Sequence, residues 1–218
     1  MNITNDAEWK AARLKGIGAS ECSAIIGRNP YMSNVDLWEI KTGRRTAADI
    51  SNKACVQYGH EAEGPLRELF ALDYPQFEVT YGGAYDLVCN PDHPFILATL
   101  DGRLKEKATG RLGVYEGKTT EILRSMQREK WNDRIPDNYF CQVLHQLLAT
   151  GWDFVYLNAQ LKRIWDDEPR CEVRRYRIER SDVQADLDYL LAAEIDFWRY
   201  VEADKRPPMI LPPLNYED

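Results

Sequence analysis

Two short apolar runs carry charged residues at their centres, and this pattern restricts the possible folds more than any other feature of the chain. The first is Ala98-Thr-Leu-Asp101-Gly-Arg and the second is Val114-Tyr-Glu116-Gly-Lys118. Ile96, Leu97, Ala98 and Leu100 surround the first charge; Leu112, Val114 and Tyr115 surround the second. Such runs, bounded by turn residues, read as largely buried strands. Side chains alternate along a strand, so Glu116 and Lys118 share one face. Lys107-Ala108-Thr109-Gly110 supplies the turn between them. If Thr109-Gly110 centres a hairpin, position i pairs with about 219 − i. Asp101 then lies opposite Lys118 and beside Glu116.

Two carboxylates and a lysine therefore converge within apolar surroundings, where charges usually serve a site. Carboxylate oxygens are hard ligands suited to Mg²⁺ or Mn²⁺. Such an ion assists in-line attack on a phosphodiester, and a lysine beside it can position or deprotonate the attacking water. The competing reading is a surface salt bridge between Lys118 and one acid.

The rest of the chain supplies a sheet and helices around this hairpin. Residues 5–15 permit a helix. Gly16 to Ser20 form a flexible turn, with Ser20 expected to cap a helix over 21–26. Asn34 is expected to cap a second helix that ends at Gly43, with Leu37, Trp38 and Ile40 as its apolar face. A third helix is expected over 59–72, with Leu66, Leu69 and Phe70 at helical spacing. Strands follow at 77–88, 95–104 and 111–119, a helix at 137–150, and strands at 153–161 and 171–179. Ser181 with Gln184 suggests a capping box for a last helix. The proline-containing tail after Arg206 is expected to wrap the surface. This order predicts an α/β (α+β) fold, a central mixed sheet flanked by helices, in a single domain spanning residues 1–218.

Composition excludes several classes. The 218 residues include 44% hydrophobic ones, enough for a core. No run approaches the ~18 apolar residues of a membrane helix, and the polar start has no apolar leader stretch. A soluble, cytoplasmic protein is expected. The five cysteines lie at least 30 residues apart, which argues against a local zinc or iron–sulfur site and for reduced thiols. His60, His93 and His145 are too scattered for a metal site, and His145 reads as a helix-packing residue. The net charge of −7 argues mildly against nucleic acid. It is unevenly spread, however: residues 103–134 carry nine bases and five acids, and residues 181–206 three bases and seven acids.

Further polar residues could join the pair. Glu61 and Glu63 lie two apart on the third helix, so only one can face the sheet. Gln142, in Tyr139-Phe-Cys-Gln-Val-Leu-His-Gln, could reach the reacting group or a metal-bound water.

An acidic helix residue, then Asp, then Glu-x-Lys, then a helix Gln resembles the PD-(D/E)xK nuclease core, the restriction-endonuclease-like fold, with Leu100 where that family usually has Pro. The N-terminal half narrows the likeness. Trp9-Lys-Ala-Ala-Arg13-Leu-Lys-Gly-Ile-Gly-Ala-Ser20-Glu, then Ile-Ile-Gly-Arg-Asn-Pro-Tyr31 and Leu37-Trp38-Glu-Ile-Lys-Thr-Gly43, resemble the YqaJ-type viral recombinases, a family that includes phage lambda exonuclease. The resemblance covers roughly residues 9–161 and implies a 5′→3′ exonuclease. Such an enzyme resects linear duplex DNA to leave 3′ single-stranded tails for a strand-annealing partner. It implies Mg²⁺, two ions with Mn²⁺ as a substitute, held by Asp101, Glu116 and the Gly117 carbonyl. Lys118 matches the catalytic lysine, Glu63 the helix acid (although Gly64 separates it from Pro65) and Gln142 the helix glutamine.

Arg13 and Ser20 match the 5′-phosphate pocket and Trp9 its aromatic neighbour. Arginine suits a phosphate through its paired donors, and a serine at a helix start adds a hydroxyl. On this reading residues 1–50 bind the 5′ phosphate, 51–180 form the catalytic core and 181–218 add a helix and tail. The resemblance also implies a ring-shaped homo-oligomer acting in a phage or prophage host. Two other readings are an inactive DNA-end-binding accessory protein and a structure-specific endonuclease on the same core.

Overall fold

The computed structural model describes residues 3–122, 125–165 and 168–211. A five-stranded mixed sheet organises the chain, in the order β2 (Phe77–Thr80), β5 (Gly102–Glu106), β6 (Leu112–Glu121), β7 (Phe154–Trp165), β8 (Glu168–Glu179). β6 and β7 are parallel and the other neighbours antiparallel. A parallel pair needs a long crossover, here through α5 (Ser125–Glu129) and α6 (Asp137–Thr150). A smaller sheet joins β1 (Ile17–Gly18), β4 (Ile96–Thr99) and β3 (Leu87–Cys89). The mixed sheet with flanking helices is the architecture expected.

Alternation along β6 divides the core. Val114 joins the larger cluster with Val143, Leu144 and Leu147 of α6 and Leu187, Leu190 and Phe197 of α7 (Gln184–Glu202). Tyr115 joins a smaller cluster with Phe77, Leu104, Phe154, Tyr156 and Phe70, the last from α4 (Ala54–Asp73). Glu116 thus falls on the face of β6 that meets α6.

The structure corrects several local expectations. The hairpin pairs Gly102 with Tyr115 and Lys105 with Leu112, so paired numbers add to 217 instead of 219. The turn is wider than two residues. Glu106 N–H donates to the Arg111 carbonyl at 2.9 Å, Gly110 N–H donates to the Glu106 carbonyl at 2.8 Å, and Gly110 takes φ +75°. A slip of two preserves every facing, and it brings Asp101 alongside Glu116 instead of Lys118. The strands expected at 77–88 and 95–104 each divide in two, because the chain crosses between the sheets there.

α4 starts five residues before its expected start, and Leu69 is exposed. Ser33, not Asn34, caps α3 (Asn34–Lys41), in a capping box with Asp36. Asn34 instead holds the tail, donating to the Pro208 carbonyl at 2.8 Å and accepting from Ile210 N–H at 3.0 Å. The remainder of the tail, 212–218, lies outside the described residues, as does Arg124 of the basic run. A 3₁₀ turn (Arg180–Val183) leads into α7, so the Ser181–Gln184 capping box does not form.

His145 is a packing residue, and it is also a charged tie. Fully buried on α6, it contacts Glu194 of α7 through Nδ1 at 2.6 Å and the Leu97 carbonyl of β4 through Nε2 at 2.9 Å. A carbonyl only accepts, so Nε2 carries a proton, and the second nitrogen faces a carboxylate. Burial alone would lower the His145 pKa; the charge and hydrogen bond of Glu194 outweigh it and raise the pKa above its ordinary value. A raised folded-state pKa gives stability that is complete below the unfolded pKa, near 6.5, and lost as pH rises through the folded value. Glu194→Gln should therefore cost about 3–5 kcal/mol in urea titrations at pH 6. The deficit should shrink above the folded-state pKa; a deficit that does not change with pH would contradict the charged pair.

Candidate active site

Asp101 stands at the corner where the chain leaves the small sheet at β4 and enters the large one at β5. Leu100 beside it is buried in the core, so the corner is held by packing. Arg67 of α4 donates to the Asp101 carbonyl at 2.6 Å and lies 4.0 Å over the Tyr81 ring. Gly102 leaves room for this arginine, since a Cβ there would sit 3.1 Å from Arg67 Cδ. Asp101 Oδ2 accepts from Gly117 N–H at 2.9 Å, which ties the corner to β6.

Glu116 is 1% exposed and meets three donors. Oε1 accepts from Gln142 Nε2 and Lys118 Nζ, both at 2.5 Å, and Oε2 accepts from Gln146 Nε2 at 2.5 Å. Burial, and next the charge of Glu116, push the Asp101 pKa up to about 8. Burial would lower the pKa of Lys118, but Glu116 and Asp101 more than offset it and hold Lys118 protonated. The Lys118 ammonium also lies 5.8 Å from the centre of the Tyr139 ring.

The donor set fits a divalent cation. Two acids share a recess, one of them driven towards its protonated form by burial and by the other, and a hard cation relieves that repulsion.

Glu63 and Glu61 separate as expected of residues two apart. Glu61 is exposed, whereas Glu63 lines a cleft of about 180 Å³ with Gly117, Lys118 and Thr119. Glu63 also contributes to raising the Asp101 pKa. Gly64 and Pro65 both lie inside α4, so the extra glycine does not break the helix.

Arg13, Trp9 and Ser20 come together at the N-terminal end. Arg13, on α1 (Asp6–Leu14), lies 4.7 Å over the Trp9 ring, and its Nη2 is 3.5 Å from Ser20 Oγ. Trp9 Nε1 donates to Thr99 Oγ1 at 3.0 Å, two residues before Asp101, so the two groups are linked through β4. Ser20 does not cap the following helix. The single turn α2 (Cys22–Ile25) starts after Glu21, and no side chain bonds its first amides.

Three polar residues, two of them in this region, were not anticipated. Lys41, buried on α3, donates to Glu21 Oε2 at 2.7 Å and to the Arg13 carbonyl at 2.9 Å. Glu21 also accepts from Gly18 N–H at 2.7 Å and lies 3.3 Å from Arg13 Nη2. Burial tends to raise the Glu21 pKa, but Lys41 and Arg13 keep it below the usual value. Two cations against one acid leave this cluster with one excess positive charge. The third residue is Gln146, one turn beyond Gln142 on α6. The sequence signals were present, since Glu21 follows Ser20 and Gln146 follows Gln142 at i+4, but surface positions carry the same residue types.

Cys22, His145 and Glu194 form a separate buried cluster whose ligand-type atoms lie within 4.8 Å of one another. The Cys22 thiol donates to the Ala19 carbonyl, and both ring nitrogens of His145 already have partners. The cluster ties α2, α6 and α7 together.

The chain is similar to several known proteins. The chain is similar to an alkaline exonuclease from Laribacter hongkongensis, with a TM-score of 0.65 and 22% identity over 91% of this chain and 94% of that one. It is also similar to a phage-related exonuclease from Haemophilus somnus 129PT, with a TM-score of 0.57 and 12% identity over 87% and 96%. Both likenesses show a shared fold. The uncharacterized protein YqaJ of Bacillus subtilis (strain 168) is 29% identical over 201 residues, 88% of this chain and 54% of that relative. The chain thus spans about half the length of that protein. Residues 8–153 match the YqaJ-like viral recombinase domain, and the chain belongs to that family.

Proposed function

We propose that this domain is a metal-dependent nuclease that resects duplex DNA ends in the 5′→3′ direction. The observation that carries the reading is the convergence of Asp101, Glu116 and Lys118 at a cleft lined by Glu63, linked through Thr99 to a cationic pocket at Arg13. The exonucleases that share the fold support it. Asp101, Glu116 and the Gly117 carbonyl would hold Mg²⁺, or Mn²⁺ in its place, as two ions. Bound there, the metal would supply Lewis-acid activation of the phosphodiester and of water.

The chain's own groups do the remaining work. Lys118, held protonated, stabilises negative charge that builds on the cleaved phosphate. Gln142 fixes one oxygen of Glu116. Arg13, braced by Trp9 and by Glu21, binds the terminal 5′ phosphate, with Ser20 as a second donor. An anchored 5′ end sets the polarity and leaves a 3′ single strand. An annealing protein would take up that strand, and a homo-oligomeric ring around DNA in the host cytoplasm would keep the enzyme on its track. No helix among the described residues is long and apolar enough to cross a membrane.

Two experiments test the proposal. Asp101→Ala, Glu116→Ala and Lys118→Ala should each slow Mg²⁺-dependent degradation of linear duplex by at least about a hundredfold without loss of fold. Cleavage at the parent's rate by all three would remove the site assignment.

The second experiment concerns the pocket. A charge-assisted bond to phosphate is worth about 1.5–3 kcal/mol. Arg13→Ala should therefore slow digestion of 5′-phosphorylated duplex about ten- to a hundredfold while barely changing that of 5′-hydroxyl duplex. An unchanged preference, or cutting of closed circular duplex by the parent, would favour an endonuclease instead.

A further inference from the structure

We propose that Gln146 is a positioning residue, which sets the orientation of the Glu116 carboxylate for metal binding. The proposal rests on the nuclease reading above. Gln142 and Gln146 lie one turn apart on α6 and therefore on one face. They grip different oxygens of the same carboxylate, Gln142 on Oε1 and Gln146 on Oε2.

The two grips differ in consequence. Oε1 already accepts from both Gln142 and Lys118, which uses both of its lone pairs. Oε2 accepts from Gln146. With one lone pair so occupied, its second is the position a cation can take, and the amide of Gln146 decides where that lone pair points.

Packing does not explain this glutamine. Its side chain is wholly buried, and its own carbonyl oxygen is buried without a hydrogen-bond partner. An unpaired buried acceptor costs stability. Methionine or leucine would fill a similar volume with no unpaired acceptor of its own, which leaves the bond to Glu116 as the reason for the amide. The residue is also too deep to touch DNA, and among the described residues the polar contact of its side-chain amide is with Glu116.

The test compares parent, Gln146→Met and Gln142→Met on three readouts: metal-free thermal melting, Mn²⁺ binding by calorimetry without DNA, and the Mg²⁺ dependence of duplex cleavage. Gln146→Met should melt modestly lower than the parent and no lower than Gln142→Met, since each variant takes one donor from buried Glu116. It should bind Mn²⁺ about ten- to a hundredfold more weakly, and its Mg²⁺ requirement for cleavage should rise in proportion. Parent-like Mn²⁺ affinity and Mg²⁺ requirement in Gln146→Met would overturn the proposal. So would a fall in melting temperature well beyond that of Gln142→Met, which would make the amide chiefly a structural tie. A parent protein that neither binds Mn²⁺ nor cuts DNA would overturn the nuclease reading itself. That outcome is distinct from an active parent matched by its variant.

Discussion

A carboxylate almost completely removed from water must be surrounded by donors, and Glu116 imposes that demand on the rest of the fold. An isolated charge in such a place is very costly. Lys118 can meet part of the demand because it lies two residues along the same strand face. The remainder comes from α6, which must present amides at two positions one turn apart while burying Val143, Leu144 and Leu147 beside them. The helix therefore cannot rotate or slide without stranding the charge. His145 reinforces the same register by linking α6 to β4 and α7, so a buried charge in the sheet and a buried charge pair behind it fix one helix from two sides.

The same economy governs the N-terminal pocket. Arg13 would be a mobile surface side chain were it not braced. Trp9 lies under its guanidinium, Glu21 meets its Nη2, and Lys41 bonds both Glu21 and the Arg13 carbonyl. A buried lysine at this point offsets the acid that orients the arginine, so the pocket keeps a positive excess and a fixed shape. Gly18 is part of the design, because a Cβ there would fall 2.6 Å from Arg13 Nη2. The tryptophan's bond to Thr99 then references this pocket to the strand that delivers Asp101.

The hairpin, the long helix α6 and the meeting of Asp101, Glu116 and Lys118 were all legible in the sequence, because apolar alternation and a short turn leave few alternatives. The register was not, because the hydrogen bonds that close a four-residue loop are set by the φ of Gly110 and the capping of Thr109 by Glu106. Since the slip was two residues, the facing survived it. Glu63 separated from Glu61 only once α4 was placed against β6. Lys41, Glu21 and Gln146 stayed hidden for a different reason. A polar residue buried by tertiary packing has the same local signature as one on the surface, and its partner lies on another element. The caps failed similarly: Asn34 and Ser181 are good capping residues, but Asn34 is engaged by the tail and a 3₁₀ turn displaces Ser181.

Charge bears on how an acidic chain can hold a polyanion. The surplus of bases over residues 103–134 does not amount to a free basic surface. Arg103 pairs with Asp86, Arg111 with Glu179 and Arg128 with Glu172, while Lys118 is spent on Glu116. Acids on neighbouring elements thus neutralise much of what the sequence concentrates. Bulk attraction, the main source of non-specific affinity for DNA, is correspondingly weak for one chain. Affinity must instead come from a few sites where a cation is held beside a recess. One is the Arg13 pocket, with its single excess charge. The other is the acid pair at Asp101 and Glu116, which repels phosphate until a divalent cation reverses its sign. On the proposed function, DNA that offers no end gives the Arg13 cluster nothing to bind, and metal occupancy of the acid pair governs the grip on DNA more than net charge does.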